Sequence, residues 1–175
     1  MSAELETLLA KQACTELVYR FARGLDRRDE ETLRCVFHPE GTDDHGYWTG
    51  TGADFVTWVL PLLAGMERTQ HLIGNVLVEV QGTRAVAESY FVASHDLTDT
   101  SGNPARMTTA GRYLDEFRKH EGQWRIFHRR AVYDWNANEP RTDNWDRSAS
   151  SPRDFGKPDR SDSVFAFAER LNSPD

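Results

Sequence analysis

The sequence predicts an α+β domain in which helices precede an antiparallel sheet. Three observations carry this reading: a helical repeat of apolar residues at the start of the chain, a switch to alternation from residue 69, and turn residues set between four long alternating runs. Helices first and strands afterwards put the helices on one face of the sheet, and short turns between successive strands make an antiparallel meander.

The first helix is expected over about residues 5–26. Leu5, Leu8, Leu9, Ala13, Leu17, Phe21 and Leu25 recur there at three- and four-residue steps and form one apolar stripe. A shorter helix follows over 29–37, capped by Asp29, with Leu33, Val36 and Phe37 facing inward and His38-Pro39-Glu40-Gly41 stopping it. Residues 42–49 read as an awkward polar strand that contains Tyr47 and Trp48. A third helix from about Ala53 to Met66 packs Phe55, Val56, Val59, Leu62 and Leu63, and Pro61 inside it predicts a kink or an early end.

Four strands are expected at about 69–80, 84–98, 105–119 and 123–136. They are separated by Gln81-Gly82-Thr83, Thr100-Ser101-Gly102-Asn103-Pro104 and His120-Glu121-Gly122, each rich in turn-forming residues. After Trp135 the periodicity fades. Asn136 to Asp162 is rich in Pro, Ser, Asp and Arg and reads as a tail that wraps or stays mobile, with Val164, Phe165 and Phe167 available to dock its end. The division is a domain over residues 1–136 and an irregular extension over 137–175.

At 175 residues one well-packed core is the default. A net charge of −7 argues against nucleic acid as a partner, which calls for a basic patch or stripe. No apolar run approaches the ~20 residues of a membrane span. The start, Met1-Ser2-Ala3-Glu4-Leu5-Glu6, lacks the basic and apolar stretches of a signal peptide, so a cytoplasmic protein that does not engage membranes is expected. Cys14 and Cys35 are too few for a disulfide framework and read as reduced, mostly buried thiols. With no glycine-rich phosphate loop and no dinucleotide fingerprint, no cofactor is expected.

The residues that carry chemistry start with Asp26, which closes the first helix, and His71, in Thr69-Gln70-His71-Leu72-Ile73-Gly74-Asn75. A carboxylate beside an imidazole fixes one ring nitrogen and raises the basicity of the other, so the pair can lift a proton near neutral pH. Each residue also has a plain reading: a solvated carboxylate at a helix end, and a hydrogen-bonded strand histidine. Alternation puts His95 on one strand face with Phe91 and Ala93. It puts Arg129 in a row with Phe127, Ala131, Tyr133 and Trp135, where it either stabilises an anion or stacks at an edge, with Arg130 its exposed competitor. Asp43-Asp44-His45 lacks a matching histidine spacing, so no metal is expected. His38 and His120 sit beside turns and read as solvated. Trp48, Trp58, Trp135 and Tyr90 read as core or pocket wall.

Over residues 5–136 the layout resembles the SnoaL-like domain of the nuclear transport factor 2-like superfamily. The carriers are Gly24-Leu25-Asp26-Arg27-Arg28, His71-x-x-Gly74-Asn75, Gly111-Arg112-Tyr113 and the final strand beginning Gly122-Gln123-Trp124-Arg125-Ile126. The pattern is similar to scytalone dehydratase, hexachlorocyclohexane dehydrochlorinase and bile acid 7α-dehydratase. The resemblance implies a cone-shaped, barrel-like fold whose strongly curved sheet holds the helices on its concave face. It also implies Asp26 and His71 as a catalytic pair. By the same resemblance His95 stands for a second strand histidine, Arg129 for an arginine five residues after the last-strand tryptophan, and His45 for a pocket tyrosine. Phe21 stands where one relative has a tyrosine, which puts tyrosine-assisted dehydration in doubt.

Together these readings predict a lyase or isomerase of dehydratase type acting on a small apolar cyclic molecule. Asp26, His71, His95 and Arg129 are the catalytic candidates, and His45, Phe21, Trp48, Phe91, Tyr113, Ala131 and Tyr133 the substrate-binding ones. The other reading is a non-catalytic ligand carrier, or a scaffold subunit like the β chain of a ring-hydroxylating oxygenase, because one cone serves many functions. A homo-oligomer is expected, by resemblance a trimer before a dimer, since one sheet face is left without helices.

Overall fold

In the computed structural model, which describes residues 2–172, Ser2 opens the chain by capping the first helix, accepting a hydrogen bond from Leu5 N. That helix, α1 (Ala3–Asp26), buries Ala10, Cys14, Leu17, Val18, Phe21 and Leu25 and lies across the sheet against its third, fourth and sixth strands. Leu5, Leu8 and Leu9 are exposed, so the apolar stripe reaches the core only from Ala10 onward. Helix α2 (Glu30–Val36) is capped by Asp29, whose side chain accepts from Thr32 N. The backbone then extends directly as β1 (Phe37–Asp44), so His38-Pro39-Glu40-Gly41 ends the helix as part of a strand. A short β2 (Thr49–Thr51) and helix α3 (Gly52–Ala64) follow. Pro61 sits in the last turn of α3, where it removes one intrahelical hydrogen bond to the preceding turn, and the helix ends three residues later.

The long strands are β3 (Arg68–Gln81), β4 (Arg84–Thr98), β5 (Pro104–His120) and β6 (Gln123–Pro140). They form the expected antiparallel meander inside a six-stranded curved sheet of order β2-β1-β6-β5-β4-β3. The sheet is not wholly antiparallel, because β1 runs parallel to β6. Hairpin turns force their two strands to oppose, whereas β1 and β6 are joined through α3 and the whole meander, which leaves their direction to packing.

Bulges correct the simple alternation. Phe117 pairs with Ile126 and Glu116 with His128, so Phe127 falls in the bulge and leaves the row of Arg129; it meets His38 and Arg118 instead. A second shift pairs Gly111 with Tyr133 and Ala110 with Trp135, which turns Trp135 to the outer face. A β-carbon at Gly111 would lie 2.1 Å from the Val132 carbonyl oxygen, so only glycine allows this bulge.

Between helices and sheet, Phe21, Phe37 and Phe55 meet at ring separations of 5.7–6.0 Å in the centre of the core. Each buried aromatic of this kind contributes roughly 1.5–3 kcal/mol. Cys14 belongs to this core and burial pushes its thiol up to about 12, while Cys35 is exposed, contrary to the expectation of buried thiols. After β6 the chain crosses back over the N-terminal end of β3. Arg141 pairs with Glu67, Asp143 with Arg68, and Asp162 with Arg27, and Asp162 caps α4 (Ser163–Ala168). Phe165 sits between Arg23 and Arg160, each 4.9 Å from its ring, whereas Phe167 is exposed.

Candidate functional site

Asp26 is the last residue of α1, and β3 passes beside it because α1 packs along that strand. His71 shares the inward face of β3 with Thr69 and Ile73. The His71 Nδ1 lies 2.8 Å from Asp26 Oδ1, the His71 backbone N–H donates to Asp26 Oδ2 at 2.9 Å, and the Thr69 hydroxyl donates to Oδ1 at 3.2 Å. Both side chains are largely buried. Three donors on one carboxylate fix its position, and the carboxylate in turn holds the imidazole with Nδ1–H inward, which leaves Nε2 as the free basic nitrogen. This is the geometry that a general base requires.

His95 stands at right angles to His71, with ring centroids 5.5 Å apart. Burial, and secondarily the neighbouring His71, lowers its pKa to about 4, and its Nδ1 has no partner. His95 is therefore neutral at physiological pH and adds no second positive charge beside His71.

Asp26 and His71 line a cavity of about 600 Å³. Its other walls come from the start of β3 (Arg68), from β4 and β5 (Asp96, Arg106) and from the tail segment 143–158. A smaller cavity of about 270 Å³ on the other side of Arg27 also reaches both residues. Arg68 and Arg106 both bind Asp96, and despite its burial they hold that carboxyl below the usual range.

Arg129 lies apart from this cavity. It is fully buried, donates from Nε and Nη2 to the two oxygens of Asp115 at 2.7 Å each, and is sandwiched between Phe21 at 4.0 Å and Tyr113 at 4.3 Å. Burial disfavours its charge, but Asp115 outweighs that and raises its pKa. Nη1 is left without a partner. Asp43 pairs with Arg129 in the β1–β6 register, is likewise fully buried, and offers Oδ1 to His45 Nδ1 at 2.8 Å while Oδ2 stays unpaired. His45 packs on Phe55 at 4.8 Å.

Of the remaining candidates, Phe21, Phe91, Tyr113 and Ala131 are buried in the core, with Phe91 stacked on Tyr113 at 4.4 Å. Trp48 stacks on Trp58 at 5.6 Å, and Tyr133 is partly exposed with its hydroxyl bonded to the His45 carbonyl. None of these six, nor His45, His95 or Arg129, lines the 600 Å³ cavity. The structure thus brings together Asp26, His71 and His95, and separately gathers His45, Arg129, Phe21 and Tyr113. Sequence reasoning missed Thr69, Asp96 and Asp115, and it left the place of the tail open. Asp115 carried a readable signal, an acidic residue between Tyr113 and Phe117 on an inward strand face. Among the described residues, no three His, Cys, Asp or Glu side chains are grouped to hold a metal ion, and no helix is long and apolar enough to cross a membrane.

The profile of the SnoaL-like domain matches residues 6–130. The chain belongs to the SnoaL-like family. Solved structures share the fold across most of its length. Hexachlorocyclohexane dehydrochlorinase LinA-type3 from Novosphingobium barchaimii LL02 superposes with a TM-score of 0.68 at 18% identity, covering 78% of this chain and 94% of that one. A protein from Novosphingobium aromaticivorans, assigned provisionally as a scytalone dehydratase, gives 0.66 at 20% identity over 79% and 97%. A variant of Rv3472 from Mycobacterium tuberculosis, of unknown function, gives 0.65 at 26% identity over 77% of each chain. No protein of curated function matches the chain. Family and fold are thereby fixed: helices with a curved, unclosed mixed sheet of the nuclear transport factor 2-like type.

Proposed function

We propose that this SnoaL-like chain is a lyase or isomerase of dehydratase type that uses Asp26 and His71 as a general base on a small cyclic molecule. The observation that carries the reading is the 2.8 Å contact between Asp26 Oδ1 and His71 Nδ1 at the edge of a 600 Å³ cavity. His71 Nε2 takes a proton from a carbon next to a carbonyl, or next to a carbon that bears a leaving group. The C–H electron pair becomes a C=C bond and the leaving group departs with its own pair, either as halide or as a hydroxyl that takes back the proton from the His71 imidazolium and leaves as water; alternatively the proton returns at another carbon. Asp26 stabilises the imidazolium formed on the way, and a neutral His95 does not oppose it. Arg129 and His45 take no part in the proton transfer in this reading, since neither lines the cavity.

The test is a panel of cyclic β-hydroxy ketones and halogenated cyclohexanes in D2O, followed by NMR for both elimination and exchange of carbon-bound hydrogen. His71→Ala and Asp26→Asn should lower both rates by ~10²–10⁴-fold with the circular dichroism spectrum unchanged. Near-wild-type exchange or turnover in either variant would end this assignment. Binding of panel members by the wild-type chain with neither exchange nor elimination would favour a ligand carrier.

A further inference from the structure

The walls of the cavity beside His71 carry a charge pattern at odds with the chain as a whole. The protein has a net charge of −7, yet three guanidiniums at this cavity, Arg68, Arg106 and Arg147, share only two carboxylates, Asp96 and Asp143. Asp96 accepts from Arg68 and Arg106 at 2.6–3.1 Å. Asp143 accepts from Arg147 at 2.5 Å and stands 3.3 Å from Arg68. Hydrogen bonds from these arginines hold both carboxyls below the usual range, so both are ionised and one positive charge is left over. The remaining lining charges do not cancel it. Arg27 faces Asp162, Glu67 faces Arg141, and the Asp26 carboxylate on a neutral His71 is offset by Lys157, which forms no ion pair among the described residues; Glu139, opposite Arg106 on β6, lies outside the lining.

The arginines also keep donors in reserve. Arg68 and Arg106 bond through Nε and Nη2, and Arg147 through Nη2, which leaves Nη1 of each without a partner among the described residues. Guanidinium groups with free N–H donors at an open cavity suit a carboxylate or similar oxyanion. The same wall supplies Trp145, the cavity's one aromatic carbocycle, more than half exposed. Trp145 and Arg147 both belong to the tail, beyond the segment that matches the family profile.

We infer that this cavity selects a ring-shaped molecule carrying an anionic oxygen group, the ring lying on Trp145 and the anion on the Arg68, Arg106 and Arg147 cluster. The inference rests on the reading that Asp26 and His71 act from the same cavity, and it names the substrate class that such a base would receive. The tail is then the part of the chain that sets specificity.

Binding separates the two claims, because it needs no turnover. The probes are 1-naphthoate and its neutral analogue 1-naphthylmethanol, titrated by calorimetry into the full chain at low salt. Naphthoate should bind about tenfold tighter than the alcohol, the size of one charge-assisted hydrogen bond. Arg147→Gln should erase most of that preference, and Arg147→Lys, which keeps the charge, should retain part of it. Trp145→Ala should weaken both probes. Equal affinity for the two probes, no binding of naphthoate at millimolar concentration, or naphthoate binding untouched by both Arg147→Gln and Trp145→Ala would overturn the inference. Anion preference that persists in His71→Ala, whether or not turnover is lost, supports the subsite independently of the base; loss of turnover in His71→Ala without any anion preference leaves the base standing and removes the subsite.

Discussion

Two short carboxylate contacts lie on the concave side of this sheet, and their surroundings give them different work. Asp26 holds His71 at 2.8 Å at the edge of a 600 Å³ cavity, while Asp115 grips Arg129 through two 2.7 Å bonds in a space sealed by Phe21 and Tyr113. Bond length does not distinguish them. What distinguishes them is access: Asp26 and His71 line a cavity, whereas the guanidinium is enclosed by Asp115 and two aromatic faces. The first arrangement suits proton transfer. The second fixes β5 to β6 in register and seats α1 through Phe21.

The comparison breaks most sharply at the sealed pair. Asp115→Asn should cost about 3–5 kcal/mol in denaturant unfolding, because buried Arg129 would lose the carboxylate that it is hydrogen-bonded to. A loss under 1 kcal/mol would mean that Asp43 takes over the guanidinium.

Next in size is the pH response of His95. Burial, then His71, lowers its folded-state value to about 4, so the unfolded chain takes up its proton first as the pH falls. The stability associated with neutral His95 is complete above about 6.5 and is lost as the pH drops toward 4, a change of roughly 3 kcal/mol. His95→Asn should flatten the stability profile in that window relative to wild type; superimposable profiles would show that His95 titrates normally.

Asp26→Asn should cost less, about 1–2 kcal/mol, since the amide oxygen can still accept from one of the three donors. A loss of stability as large as that of Asp115→Asn would make Asp26 chiefly structural and erase the contrast between the two pairs. The smallest effect is expected for Arg141→Ala, which removes one partly exposed ion pair to Glu67 and should change unfolding by under about 1 kcal/mol.

Local rules made most of the fold legible. The four strands lie where alternation and turn residues put them, and β4 spans the expected 84–98. Asp29 caps α2 as its side chain suggested. The Asp26–His71 contact was also foreshadowed, by two residues that mean little until α1 and β3 pack together. Alternation misled where bulges reset it, at Phe127 and Trp135, because an inserted residue flips every later side chain. The aromatic candidates Phe21, Phe91 and Tyr113 read equally well as pocket lining or core, and they lie in the core. Their composition is the same in both settings, and only packing separates the two.

The sequence by itself determined the order of elements, the meander, the family and a carboxylate and imidazole able to pair, because these follow from periodicity, turn chemistry and local motifs. Tertiary structure alone decided that β1 runs parallel to β6, that Arg129 is bound to Asp115, and that the tail beyond β6 walls the cavity of His71 with Trp145 and Arg147. Each of these joins residues distant along the chain, through ion pairs and packing whose partners no local pattern specifies.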